Sequence, residues 1–265
     1  MSAPEPYALP SDFGAPEKRP IEHLVRQPTP PVVRRWKSGN TAGKTVFVAL
    51  RSANPLLQYL IYTQGWGNKL YALLGLTAAT PHIGLLSPKQ KLLVGIAAVG
   101  AARQIFWCLY INESPITVLD ATHITLFNLV ADTANTLLSF TCSAWSLGIQ
   151  QLVGSAMVAV GSIIETGSEL QRKWFKAKPE NTGRVIRNGL WKYSRHVNYA
   201  GYVLWRGGYA MSTGNVYAFW NPLVHLWDFS ARGIPVLERY MSLKYKDEWA
   251  QYSQHTPYKL IPYVW

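Results

Sequence analysis

The stretch NGLWKYSRHVNYAGYVLWRGGYA, Asn188 to Ala210, begins as a turn at Asn188-Gly189, runs through a basic and aromatic cluster, and then becomes apolar enough to enter a membrane. That transition puts charge and stacking surface at the level where water meets lipid. Arg195 and His196 can meet phosphate, Asn198 can satisfy an amide or hydroxyl, and Trp191, Tyr193 and Tyr199 offer faces to a planar ring. These are the needs of a large anionic cofactor with an aromatic head. A basic, aromatic belt that anchors a helix at a membrane boundary and binds nothing has the same composition, so the stretch alone leaves both readings open.

Outward from this stretch, the chain of 265 residues is 48% hydrophobic and 13% aromatic, long enough for one large domain or two small ones. Its charge of +12 argues for basic cytosolic edges on a membrane protein and against nucleic acid, because long apolar segments interrupt the Lys and Arg residues. Cys108 and Cys142 lie in apolar stretches without CxxC spacing and read as small core residues, which leaves the redox compartment open.

Eight of the 17 prolines precede residue 32, without apolar periodicity, so residues 1–50 are expected to be a disordered cytosolic tail and residues 51–265 a membrane domain. No charged start followed by an apolar run precedes residue 40, so a secretory signal is not expected. Ser38 to Thr45, SGNTAGKT, nearly spells a phosphate-binding loop. Ser38 stands where the first glycine belongs, and a Gly-rich linker fits better.

About six apolar segments could span roughly 30 Å of hydrocarbon: Leu56 to Ala79, Lys91 to Ile111, Ile116 to Phe140, Leu147 to Thr166, and the shorter Tyr199 to Met211 and Val216 to Ala231. The fold class expected is all-α, a polytopic membrane helix bundle of about six transmembrane helices. Arg103, His123, Asp132, Arg206 and Asp228 fall within these segments. Groups so placed either line a polar cavity or join helices by structural hydrogen bonds. Glu169 to His196 carries eight Lys and Arg against two Glu, a net +6 that puts this loop and both chain ends in the cytosol.

The six histidines show neither HExxH nor the clustered boxes of a membrane di-iron centre, so no metal is expected. No GxSxG elbow and no GxGxxG after a strand are present, which excludes the common serine-hydrolase and Rossmann designs.

Three ordered pieces resemble the steroid 5-alpha-reductase family, within the superfamily that it shares with isoprenylcysteine carboxyl methyltransferases and sterol C14-reductases. They are Glu165-x-x-x-Glu169-x-Gln171-x-Lys173-x-Phe175-Lys176; Gly189-Leu190-Trp191-x-Tyr193-Ser194-Arg195-His196-x-Asn198-Tyr199-x-Gly201 with Trp205-x-Gly207; and the terminal Leu260-Ile261-Pro262-Tyr263-Val264-Trp265. The resemblance implies an endoplasmic-reticulum membrane enzyme with NADPH in a cytosol-facing cavity built mainly from residues 160–265. It implies reduction of a carbon-carbon double bond in a lipophilic terpenoid, sterol-like or polyketide substrate. Lys173, Lys176, Arg195 and His196 would meet phosphates. Trp191, Tyr193, Asn198 and Tyr199 would hold the rings, and Glu165 and Glu169 the ribose hydroxyls or the basic side chains.

Two positions depart from the family pattern. Val197 replaces the proline usual after Arg-His, and Tyr202 replaces the glutamate usual after Asn-Tyr-x-Gly. A phenol can donate a proton or polarise a carbonyl, so Tyr202 is the candidate catalytic acid, with Glu113 and Asp132 as fallback donors. An S-adenosylmethionine-dependent methyltransferase using the same region, with Glu238 and Tyr252 near it, and a non-catalytic scaffold are the alternatives. The partners expected are the lipophilic substrate and membrane lipids, with no nucleic acid.

Overall fold

The computed structural model describes residues 41–77, 85–142 and 147–265, and among them every regular element is helical. The α-helices are α1 (Thr41–Thr63), α2 (Trp66–Leu73), α3 (Pro88–Phe106), α4 (Val118–Leu138), α5 (Ile149–Ala177), α6 (Val197–Thr213), α7 (Trp220–Asp228) and α8 (Ile234–His255). The proline-rich segment before residue 41 lies outside the described residues. The boundary expected at residue 50 falls inside α1, because Thr41 to Lys44 already form its first turn, with Phe47 buried one turn on.

Local chemistry explains the starts and stops. Ser87 caps α3 reciprocally with Gln90, and Pro88 supplies the first-turn φ. Thr117 and Asp120 form the same box ahead of α4. A turn at Gln64-Gly65, with Gly65 at φ 66°, separates α1 from α2, so the expected first span from Leu56 to Ala79 is not one continuous helix. Helix α3 runs on through a π-helical turn, Trp107–Ile111. A second π turn, Phe229–Gly233, joins α7 to α8. Among the described residues, Pro88–Ile111 and Ile149–Ala177 are the two helical runs long and apolar enough to cross a membrane.

The densest packing joins α5 to α6 along their length. Gly154 and Gly161 on α5 face Gly208 and Gly201 on α6, a spacing of seven on each helix. A Cβ on Gly161 would lie 2.5 Å from the Trp205 backbone nitrogen, and one on Gly201 would lie 2.5 Å from that of Glu165. Small residues at such a crossing let two backbones touch, which is how helices gain dispersion contacts where no hydrophobic drive exists between them.

The other seam is polar. Arg51, Asn54 and Gln58 recur along one stripe of α1, all buried, and meet Asp132 and Thr133 of α4. Asn54 donates to Asp132 at 2.5 Å, and Gln58 donates to Asn54 at 2.8 Å. Asp132 also accepts from Arg206 of α6 at 2.7 Å. One carboxylate thereby ties three helices together.

The carboxyl-terminal segment folds back onto the Arg-His turn. Arg195 and His196 donate their backbone N–H groups to Tyr258 and Lys259, Ser194 Oγ donates to the Lys259 carbonyl at 2.8 Å, and Leu260 is fully buried.

Gly201→Ala forces a methyl against the Glu165 backbone and is expected to cost about 1–3 kcal/mol. Gly95, with open space around its α-carbon, is the control: Gly95→Ala should be neutral or stabilise by up to about 1 kcal/mol. Thermal unfolding in detergent followed by circular dichroism checks the contrast.

Candidate functional site

A cavity of about 180 Å³ opens where α1, α3, α4, α5 and α6 converge. Phe47, Trp107, Ile111 and Ile124 form its apolar end. Arg103, Gln104, Asn128, Glu165, Thr166, Glu169 and Tyr202 form the polar remainder. Most of the lining therefore comes from the amino-terminal half, not from residues 160–265 as expected. The seam described above is what brings Glu165 and Glu169 of α5 beside Tyr202 of α6.

Glu165 accepts from Trp205 Nε1 at 2.7 Å and is ion-paired with Arg103, whose guanidinium lies 4.5 Å from the centre of the Trp205 ring. Arg103 keeps two buried nitrogens, Nε and Nη2, without a partner. Glu169 pairs with Arg172 and accepts from Asn198 Nδ2 at 2.7 Å. Two carboxylates and one guanidinium thus line the cavity.

The hydroxyl of Tyr202 sits among three polar atoms. Nδ1 of His225 lies 2.8 Å from the Asn221 carbonyl, which can only accept, so the ring carries its proton there and Nε2 is left as an acceptor in the neutral ring. Tyr202 donates to that Nε2 at 3.2 Å and accepts from Arg206 Nη2 at 3.2 Å and Nε at 3.3 Å. A base and a cation therefore flank a phenol that faces the cavity.

The remaining expected site residues are dispersed. Arg195 makes a bidentate pair with Glu238, Nε to Oε1 at 2.9 Å and Nη2 to Oε2 at 3.1 Å, and Nη1 donates to the Thr256 carbonyl at 2.6 Å. His196 Nε2 donates to the same carboxylate at 2.8 Å. Lys173 pairs with the exposed Glu113 at 3.2 Å, and Lys176 binds Tyr245 Oη at 3.0 Å and the Arg184 carbonyl. Trp191 is buried, its Nε1 donating to the Ser168 carbonyl at 2.9 Å and its own carbonyl accepting from Tyr252 at 2.6 Å. Tyr193 is exposed beside Lys192. Tyr199 stacks on Phe229 at 4.2 Å and on His196 at 5.9 Å. None of these lines the cavity, and neither does Glu113 or Asp132. Asp132 is neutralised by Arg51 and Arg206 in the helix seam, which makes it a tether and not a free proton donor.

Sequence reasoning gave no role to His225 or Asn128, and took Gln104 only as part of Arg103-Gln104-Ile105-Phe106, a run similar to a reductase helix segment. A helical stripe on α4, Thr125, Asn128, Asp132 and Asn135, repeats at three and four and marks a buried polar face. Gln104 adjoins the noted Arg103. His225 had no local signal, since its partner Tyr202 lies 23 residues away.

Among protein families, the model described as protein of unknown function (DUF1295) matches residues 111–256, more than half of the chain. A probable O-methyltransferase, ustE, of Ustilaginoidea virens is 30% identical over 232 residues, 79% of this chain and 81% of that protein. A protein-S-isoprenylcysteine O-methyltransferase B of Arabidopsis thaliana is 24% identical over 116 residues, 42% of this chain and 58% of that protein. A Delta(14)-sterol reductase of the same plant is 22% identical over 130 residues, 43% of this chain and 34% of its own length. The superfamily that the motifs resemble is the one found, and within it methyltransferases and a reductase both stand as relatives.

The Arg195–His196–Glu238 cluster lies outside the apolar spans and sets a pH dependence. Burial holds the His196 imidazole below its ordinary value of 6.5, against the pull of Glu238. Burial alone would raise the Glu238 carboxyl, but hydrogen bonds and charge from His196 and Arg195 hold it below its ordinary 4.5. In both cases the unfolded chain takes up the proton first as pH falls, so stability drops through the mid-sixes for His196 and again below 4.5 for Glu238. The thermal midpoint is expected to decline from about pH 8 to about pH 4. His196→Gln should flatten the upper part of that decline and leave the lower part, which a pH series of melts reads directly.

Proposed function

This chain belongs to the DUF1295 family of proteins of unknown function, and we propose that it is a membrane-embedded, S-adenosylmethionine-dependent O-methyltransferase acting on a lipophilic substrate. The observation that carries the reading is the shortage of free cations at the cavity: among its lining residues Arg103 alone is basic and it is paired with Glu165, while Glu169 is paired with Arg172. Arg195 and Lys173, the side chains that phosphates would need, are each engaged by a carboxylate outside that cavity, and Lys176 by the Tyr245 phenol. Such a lining suits a cationic cofactor better than one bearing several phosphates. Similarity to two proteins named as O-methyltransferases supports it.

The donor set fits the cofactor. Glu165 and Glu169 retain lone pairs for ribose hydroxyls and attract the sulfonium charge, and the Arg103 guanidinium beside them is the cation of the lining nearest to hand for the carboxylate of its amino-acid end. When bound, S-adenosylmethionine supplies an electrophilic methyl group. The chain's own task is then to take a proton from the substrate hydroxyl. Tyr202 can pass its own proton to Nε2 of His225, with Arg206 stabilising the phenolate so formed, and the phenolate can then take the proton of the substrate hydroxyl. Phe47, Trp107, Ile111 and Ile124 keep water from the apolar end. The bundle is assigned about six spans with both chain ends cytosolic, and an endoplasmic-reticulum membrane suits the lipophilic substrate.

The second reading is an NADPH-dependent reductase of a carbon-carbon double bond, favoured by the similarity to the sterol reductase. There Tyr202, lining the same cavity, would serve as the acid.

Titrating detergent-purified protein with S-adenosylmethionine and with NADPH separates the two. Saturable binding of the first alone is expected, weakened at least about tenfold by Glu165→Gln, and binding of NADPH alone reverses the assignment. In methyl transfer to the true substrate, Tyr202→Phe should lower kcat by roughly 100-fold or more while leaving S-adenosylmethionine affinity unchanged, as expected for a group that acts mainly in the transition state.

A further inference from the structure

Residues Ile261 to Trp265 form a closed turn that shows apolar side chains to the outside. Leu260 and Ile261 donate their N–H groups to the main-chain oxygen of Trp265 at 2.8 and 2.9 Å, and Val264 and Trp265 donate theirs to the Ile261 carbonyl at 3.1 and 3.0 Å. Pro262 has no N–H to satisfy. Backbone paired in this way can enter a weakly polar medium at little cost. Tyr263 and Val264 are each 75% exposed, and Ile261 and Trp265 are exposed beside them. No Asp or Glu occurs from Trp249 to Trp265, whereas the Lys259 ammonium lies 5.7 Å from the centre of the Trp265 ring. Lys192 lies 4.8 Å from the ring centre of Tyr193, which is exposed as well.

Helix α5 sets the height of this turn. Its 29 residues extend about 43 Å at about 1.5 Å per residue. About 30 Å of hydrocarbon takes about 20 of them, Ile149 to Ser168. The exposed aliphatic side chains of α5 agree, running from Ile149 to Ile163, and beyond them come Arg172, Lys173 and Lys176 with an exposed Trp174. At that level Trp191 Nε1 donates to the Ser168 carbonyl and the Leu190 N–H to Gln171 Oε1. The same segment holds the turn, through the Arg195 and His196 N–H groups on the Tyr258 and Lys259 carbonyls. Aromatic side chains with lysines are the composition of the zone where hydrocarbon ends. We propose that Ile261, Tyr263, Val264 and Trp265 form an anchor seated in the headgroup layer of the bilayer, with Lys192 and Lys259 on anionic lipid headgroups. Through residues 258–260 the bilayer then steadies the turn from which α6 and Tyr202 start.

The inference rests on α5 crossing the bilayer, as the proposed function also requires, and on neither cofactor. A fluorophore attached at Val264→Cys, Glu180→Cys or Ile163→Cys in the full chain, carrying Cys142→Ser and held in lipid nanodiscs, tests it. All three positions are exposed, so the core is spared, and Cys108 is fully buried. Glu180 lies in the turn Pro179–Asn181 past the end of α5. At residue 264, nitroxide-bearing lipid should quench and aqueous acrylamide should not, whereas at residue 180 the order reverses. Nitroxide-bearing phosphatidylserine should quench residue 264 about fivefold more effectively than phosphatidylcholine with the same label. Lys192→Gln with Lys259→Gln should erase that difference, with a melting curve matching the parent showing that the bundle is intact. Acrylamide quenching at 264 equal to that at 180 overturns the proposal. So does shielding from acrylamide without quenching by lipid, the result for a patch covered by a second copy or another protein, and so does equal quenching by the two lipids. Residue 163 separates the causes. If it is quenched by lipid and residue 264 is not, the anchor alone falls; if neither is quenched, the membrane-embedded reading falls with it.

Discussion

The backbone contact between α5 and α6 at Gly161 and Gly201 is the constraint from which the site follows. With a Cβ at either position the helices would have to part, because the atoms in the way are backbone and cannot rotate aside. Their closeness lets Trp205 of α6 donate to Glu165 of α5, and Asn198 donate to Glu169 one turn further along. The residues that bracket the cavity are thus fixed by rigid helix faces and not by loops. A glycine seam fixes those residues to within a fraction of an ångström while tolerating almost no substitution.

The polar network behind Tyr202 has a comparable logic. Arg51 and Arg206 share Asp132, and Arg206 reaches on to Asn128 and Tyr202. Buried ion pairs recover their desolvation best when each remaining donor is met. For Arg206 every nitrogen is met, in part by the Tyr202 phenol, whereas Arg51 keeps Nε and Nη2 without a partner. Neutralisation of Asp132 and support of the Tyr202 hydroxyl are therefore served by the same guanidinium.

Much of this was legible in the chain. The run from Asn188 to Ala210 does mark the turn and the helix that carries Tyr202, and Glu165 and Glu169 do line the cavity beside it. Arg195 and His196 read as phosphate ligands because their local sequence is basic and aromatic. Their actual partner, Glu238, lies more than 40 residues on, in a helix whose docking no local pattern encodes. Asp132 looked like a spare acid for the same reason: an ionisable residue in an apolar run shows that something must meet it, but not what. The hydropathy of Leu56 to Ala79 suggested one span, whereas Gly65 adopts a left-handed conformation that an apolar count does not register. The cavity drew on α1, α3 and α4, outside the three pieces that carry the resemblance, so Asn128 was not singled out.

Helix α1 carries Arg51, Asn54 and Gln58 on one stripe, and their complement Asp132 is synthesised about eighty residues later. Asp132 and Thr133 meet those side chains, whereas the same stripe on its own would leave more buried donors unmade. The two helices are therefore stable as a pair, each supplying polar partners that the other cannot find within its own turns. A change at Asp132 would leave Arg51, Asn54 and Arg206 without their shared acceptor and loosen three helices at once.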